Sequence, residues 1–407
     1  MKKKILAVIP LAALLVLGSC KDDGGDDVAT YNTLTVTLSY PEGITQSDIT
    51  AANVTATNVQ TGARAQLTEV GGGMFTVKLI GGEYTISASA TTSDTKRLNA
   101  RRSISLYKDA TLDVELNVAL LKEGFVFKEI YYNMVKVNNK PYMQDQFFEI
   151  YNNSDEVQYL DNCILGRLQG TQGVKGVTDW VTSENGTEIM DSYALEAYVV
   201  AFVGSGTEFP VNPRESVLIA ATASNHNAET GGVSPVDLSN ADYEVYLGDY
   251  ITSDTDNPAV PNMDIVAKLG SATPNFFGLP YTGNAMIFAK LPAGTTMDGF
   301  INDRSNYQTI PWQTANTQEY LMIPQDYVLD GVNIVNSNES RRIVRLRPEV
   351  DNGMVYMTTD YAGKSIRRKV SEITPEGKVI FQDTNNSSED FLSGQTPTPG
   401  ILPTIAD

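Results

Sequence analysis

Thiols, imidazoles and indoles are scarce in this chain: two cysteines, one histidine and two tryptophans among 407 residues. A single imidazole excludes zinc sites built from several histidines. It also makes any Ser-His-Asp or Cys-His scheme depend on His226 alone. His226 stands in Ser224-Asn-His-Asn227, a polar run leading to Gly231-Gly232, which predicts an exposed, ordinary side chain. Basic charge is scarce as well. Thirty Lys and Arg face 49 Asp and Glu, for a net charge of −19. That balance argues against a nucleic-acid partner and against an electrostatic grip on anionic lipid. No phosphate loop, dinucleotide fingerprint, Gly-x-Ser-x-Gly elbow or metalloprotease motif occurs. No 20-to-50-residue repeat occurs either.

Long apolar runs are also missing, except near the start. Met1–Lys4 carries three lysines, and Ile5–Leu17 is a run of thirteen uncharged residues. A basic start followed by such a run has the form of a secretory signal. The run falls short of the roughly 20 residues a spanning helix needs, and Pro10 interrupts it. It ends in Leu17-Gly18-Ser19-Cys20. These residues resemble the lipobox of bacterial lipoproteins. The resemblance implies diacylglycerol transfer to the Cys20 sulfur, cleavage before Cys20 and acylation of the new amine. Two or more acyl chains anchor firmly where one is marginal. Residues 1–19 then form a lipoprotein signal peptide, and the mature chain loses three lysines, to about −22.

Residues 20–30 continue as Lys21-Asp-Asp-Gly-Gly-Asp-Asp27, a charged and glycine-rich composition that builds no core and reads as a flexible acidic tether. An acidic cluster after the lipidated cysteine resembles the export signal of surface lipoproteins in some gram-negative bacteria. With Cys20 acylated, Cys163 has no disulfide partner. In Leu160-Asp-Asn-Cys-Ile-Leu165 it reads as a small buried hydrophobe.

Residues 31–121 alternate in short runs. Leu34, Val36 and Leu38 interleave with Thr35, Thr37 and Ser39. Runs at 51–57, 74–79, 84–90 and 112–118 follow, with glycines at 71–73 and 81–82 as turns. Period-two alternation between close turns predicts a small all-β sandwich of about seven strands. Gly73-Met-Phe-Thr-Val77 and Gly81-Gly-Glu-Tyr-Thr-Ile86 resemble the prealbumin-like or carboxypeptidase-regulatory-like sandwich, whose modules serve as spacers or docking units.

Residues 122–407 form the second region. Phe125-Val-Phe-Lys-Glu-Ile-Tyr-Tyr-Asn133 is followed by Gln146-Phe-Phe-Glu-Ile-Tyr-Asn-Asn-Ser154. This pairing resembles the lamin-tail domain, an immunoglobulin-like sandwich, through Lys128-Glu129-Ile130 and Phe148-Glu149-Ile150-Tyr151-Asn152. Cys163 stands where that family usually has tryptophan. Pro213–Ala220, Ser365–Arg368 and Thr396–Gly400 resemble its later strands and its Pro-Gly end. The region is more than twice the length of a simple lamin tail, with long insertions expected at about 167–195 and 225–285. Over the whole chain the architecture resembles an uncharacterised family of surface lipoproteins of about 400 residues. The fold expected is mainly β: two β-sandwich, immunoglobulin-like regions, the second elaborated by insertions.

Helices are few in prospect. Asp191–Val203 mixes helical and strand spacing, and one turn is expected after Pro324. The proline-rich 396–407 segment is expected on the surface.

Candidate sites are sparse. Asp254-Thr-Asp256-Asn257 and Asp383-Thr-Asn-Asn-Ser387 offer oxygens for calcium but lack the spacing of a calcium loop, so Asx turns are the simpler reading. Otherwise no metal or cofactor is expected. Glu149, mid-strand between Phe148 and Ile150, points to the opposite face and reads as a paired structural carboxylate. Trp180 and Trp312, in polar stretches, are candidate ligand-binding rings, because flat aromatics bury apolar ligand area at small entropy cost.

The expected function is that of a surface-exposed outer-membrane lipoprotein. In this reading it is a non-catalytic binding or accessory subunit of a nutrient transporter. The alternatives are a hydrolase of glycan or peptide and a structural or adhesion protein.

Overall fold

The computed structural model describes residues 31–119, 124–169, 191–270, 276–309 and 317–407. Cys20, Trp180 and Trp312 lie outside the described residues. The architecture is mainly β, as the alternation predicts. Among the described residues there are three short α-helices, His226–Glu229, Met297–Asn302 and Ser387–Asp390. None is long and apolar enough to cross a membrane.

The first unit has two sheets. One orders the strands Thr68–Gly71, Met74–Ile80, Tyr31–Ser39 and Ala110–Glu115. The other orders Arg64–Gln66, Ile49–Asn58, Gly82–Thr92, Arg97–Leu106 and Asn117–Val118. Leu34, Val36 and Leu38 point inward from the first sheet, and Val54, Ala56, Tyr84, Ile86 and Ala88 from the second, closing one core. Burying each such aliphatic or aromatic side chain contributes about 1.5–3 kcal/mol. Tyr84 satisfies its hydroxyl inside this core by donating to the Ile80 carbonyl at 2.7 Å. The nine strands exceed the expected seven. Arg97–Leu106 escaped the sequence reading because arginines occupy part of it.

The larger unit packs a six-stranded sheet on a five-stranded one. The first runs Tyr243–Glu244, Ser216–Ala220, Phe147–Asn152, Phe125–Asn133, Lys364–Arg368, Phe391–Gln395. The second runs Asp264–Leu269, Ala197–Ala201, Cys163–Arg167, Met286–Lys290, Val328–Val332. Phe127, Ile130, Phe148, Leu165, Val200 and Phe288 fill the space between them. The outer face of the five-stranded sheet is covered in turn. Ile164, Val199 and Ile287 pack there on Phe300, Leu321 and Ile323, making a third layer. Val236, Leu238 and Val260 cover Tyr131 and Phe147 on the outer face of the six-stranded sheet. Phe125–Asn133 is therefore buried at all nine positions.

That burial forces its charged residues to find partners. A bulge between Phe127 and Glu129 sets Lys128 out of register and places Glu129 directly opposite Glu149. Two carboxylates so placed repel. Lys128 Nζ reaches Glu149 Oε1 at 2.6 Å, with both side chains fully buried. Glu129 accepts from the Ser365 hydroxyl and from Thr398 Oγ1 at 2.9 Å. Gly400 N donates to Glu149 Oε2 at 3.3 Å. The carboxylate pair thus clasps the C-terminal segment, and Asp407 is held by Arg367 at 2.8 Å. Glu149 is the paired structural carboxylate expected from its alternation. Residues Gln325–Tyr327 make the turn expected after Pro324, as a 3-10 helix.

Candidate functional site

The strand Arg97–Leu106 presents two faces. Leu98, Ala100 and Leu106 enter the core of the first unit. On the alternate face, Asn99 and Arg101 reach the larger unit. Asn99 Nδ2 donates to the Thr384 carbonyl at 3.2 Å. Arg101 donates from Nη2 to the Leu346 carbonyl at 2.8 Å and from Nη1 to the Asp351 carbonyl at 3.1 Å. From the other side, Asn352 Nδ2 donates to the Ala88 carbonyl at 3.0 Å. Burial draws the Arg101 guanidinium below its usual value, while the charges of Asp351 and Glu349 work the other way.

Beside this joint lies a cleft of about 700 Å³. The first unit contributes Thr57, Asn58, Arg101 and Arg102 to it, and the larger unit contributes Glu339, Arg342, Arg347 and Glu349. Four arginines against two glutamates make it cationic in a chain of net charge −19.

The cleft's second wall is held from behind. Asn333 Oδ1 accepts the backbone N–H of Arg345 at 2.8 Å and of Leu346 at 3.0 Å. Asp351 Oδ2 accepts from Asn333 N at 2.7 Å, and its Oδ1 accepts from Gly353 and Ser387. Burial raises the Asp351 carboxyl above the usual range, and the hydrogen bonds from Ser387, Asn333 and Gly353 oppose it. Arg342 lies 3.6 Å over the Tyr356 ring. Its Nε and Nη2 donate to the carbonyls of Asn336 and Ser337, at 3.2 and 3.1 Å. Its Nη1 remains toward Glu339, 3.9 Å away. Arg347 is less committed, since Nε lies 3.5 Å from Glu349 Oε2. Glu349 is buried, and that same oxygen has no hydrogen-bond partner.

Gly62 closes the rim. It adopts φ +66°, and a Cβ there would lie 2.9 Å from Arg342 Nη1 and 3.0 Å from Glu339 Oε1. Glycine alone meets both demands without strain.

His226 corrects the expectation of an exposed imidazole. It is 1% exposed, at the first position of a short helix. Tyr142 covers it, with the hydroxyl 2.8 Å from Nδ1, while Nε2 lies 2.9 Å from the Thr222 carbonyl. Burial lowers its pKa. Ser224 Oγ lies 3.2 Å from Nδ1 and Glu229 Oε2 lies 3.8 Å from it, so the ring sits in a polar cluster beneath Tyr142.

Cys163 is fully buried, and desolvation pushes its thiol up to about 12. Asp254 accepts from Leu247 N at 2.7 Å and from Thr255 N at 3.0 Å, the bonds of a turn. Asp383 faces Arg368, and Asn386 caps Ser387–Asp390. Among the described residues no group of three or more His, Cys, Asp or Glu is placed to hold a metal ion. The cleft escaped the sequence reading, although Arg101-Arg102 and the Arg341–Arg347 stretch, with four arginines in an acidic chain, were its signal.

A β-sandwich protein with a cationic cleft between two units is the class these features define. Residues 212–398 match the family model described as "Protein of unknown function (DUF4876)". They include the Arg342–Glu349 wall but not the first unit. The chain is also similar to the crystal structure of a DUF4876 family protein from Bacteroides thetaiotaomicron, with 26% identity and a TM-score of 0.60. That match covers 92% of this chain and 99% of the other, so the shared fold extends across both units. A DUF3823 family protein from Parabacteroides merdae matches at 12% identity and TM-score 0.16, over 35% of this chain and 68% of its own. No curated protein matches.

Proposed function

We propose that this chain is a lipid-anchored, outward-facing protein of a gram-negative outer membrane that binds a solute in the cleft between its two units. It serves there as a non-catalytic accessory subunit of a nutrient transporter. Acylation at Cys20 holds it, and the acidic 20–30 tether keeps the body off the membrane. The first unit is read as a prealbumin-like or carboxypeptidase-regulatory-like module, and the larger as an elaborated lamin tail.

The cleft carries this reading. It has the size of a small-molecule site and sits at a junction between units, where such sites concentrate. Two of its guanidinium groups are placed in advance, Arg101 by the Leu346 and Asp351 carbonyls and Arg342 by the Tyr356 ring and the carbonyls of Asn336 and Ser337. Capture with the full-length chain from detergent-solubilised outer membrane should bring down a transporter, and fatty acid should be found on Cys20 by mass spectrometry. An unmodified Cys20, or capture of no membrane protein, contradicts the reading.

A further inference from the structure

We infer that the cleft's solute is a small, hydroxyl-bearing organic anion whose charged group is held between the two units by Arg102 and Arg347. This rests on the cleft being the binding site. Arg347 offers the strongest argument. Its contact with Glu349 is long, 3.5 Å from Nε, and its side chain is one-third exposed and lines the cavity, so its terminal fork is available to a ligand. Such a fork matches the two oxygens of a carboxylate, sulfate or phosphate group. Arg102, on the opposite wall, spends one nitrogen on the Arg101 carbonyl at 3.1 Å and has no carboxylate partner among the described residues.

The neutral lining decides the rest of the ligand. Thr57, Asn58, Thr85, Ser103 and Asn117 supply hydroxyls and amides, which suit hydroxyl groups. Glu339 and Glu349 add acceptors for them. Among the described residues that line the cleft none is aromatic, and Arg342 covers one face of the Tyr356 ring, so these residues offer a stacked aromatic ligand no platform. An acidic sugar fits this set, with either a carboxylate or a sulfate as its charged group.

The test is isothermal titration of the full-length chain with three disaccharides: one bearing a uronic acid, one sulfated, one neutral. At least one acidic disaccharide should bind, at least tenfold tighter than the neutral one and more weakly as salt is raised. The preferred acid names the group. Arg347→Ala and Arg102→Ala should each weaken that binding at least tenfold, the Arg102 variant with its thermal midpoint unchanged. Arg347→Lys, which keeps the charge but loses the fork, should fall between. Equal binding of neutral and acidic disaccharides overturns the inference and leaves the cleft as the binding site. Tight acidic binding that survives both alanine substitutions overturns the inference and the cleft together, as does no binding by any of the three.

Discussion

Arg101 and Leu346 lie 245 positions apart in the chain, yet the guanidinium of one donates to the carbonyl of the other at 2.8 Å across the two units. With the second bond to Asp351, this side chain ties the sandwich to the body. Arg101→Ala strands the part-buried Leu346 carbonyl and leaves the Asp351 carbonyl with the 3.3 Å bond from Asn333 Nδ2. A stranded group costs about 1–3 kcal/mol. The expected outcome is a lower thermal midpoint and a wider particle by small-angle X-ray scattering. Arg101→Lys reaches fewer acceptors and should recover only part of the loss. An unchanged scattering profile in Arg101→Ala would show that the two units are held by other contacts.

Lys128 carries the buried charge balance of the central strand. Lys128→Met leaves Glu129 and Glu149 opposed with no cation between them. Removing one partner from a buried pair costs about 3–5 kcal/mol. Adding Glu149→Gln should restore at least half of it. Denaturant unfolding checks both variants. The C-terminal clasp gives a second readout, since limited proteolysis near Thr398 and Gly400 should quicken in the single variant.

Asp145 gives a pH signature. It is buried and accepts from Ser234 Oγ at 2.8 Å and Tyr131 at 3.1 Å, while its Oδ1 has no partner. Burial pushes its carboxyl up to about 6, against which those two donors pull. The unfolded chain releases this proton near 3.9. Because the folded pKa is the higher one, the folded state binds more proton between those values. Its contribution is fully present below about pH 4 and is lost as pH rises through 6. Asp145→Asn should therefore gain on the parent by up to about 3 kcal/mol at pH 7.5, and by little at pH 4. His226, whose pKa is lowered by burial, acts in the opposite sense as pH falls below about 6.5. The comparison of Asp145→Asn with the parent at each pH removes that background. A gain independent of pH would refute the assignment.

Gly62→Ala places a methyl against Arg342 and Glu339 and forces a left-handed backbone on alanine. The backbone alone costs about 1 kcal/mol. The displaced Arg342 should also open the rim of the cleft. Thermal unfolding and binding of the acidic disaccharide should both weaken, whereas Gly43→Ala, also left-handed but in open space, should affect stability alone.

Much of the fold was legible. Leu34, Val36 and Leu38 alternate because one face of their sheet meets a core and the other meets water. Phe125–Asn133 reads as a nearly continuous apolar run because both faces of its sheet are covered. The same double cover hid the roles of Lys128 and Glu129, since a buried ion pair leaves no periodic trace. Arg97–Leu106 was missed because its outer face meets a second unit, so arginines stand where a solvent-facing strand would carry small polar residues. His226 was misread because its neighbours are polar, while Tyr142, which covers it, lies 84 positions away. The cleft was illegible for the same reason, its walls joining residues near 57 and 101 to residues near 347. Of the two tryptophans read as candidate ligand-binding rings, neither falls among the described residues, and none of the described residues lining the cleft is aromatic.

Hydrogen–deuterium exchange on the full-length chain, with and without the acidic disaccharide that binds, tests the site most directly. Slower exchange confined to the strand Arg97–Leu106 and to the 339–354 segment is the outcome this account predicts. Slowing elsewhere with neither segment changed would contradict it.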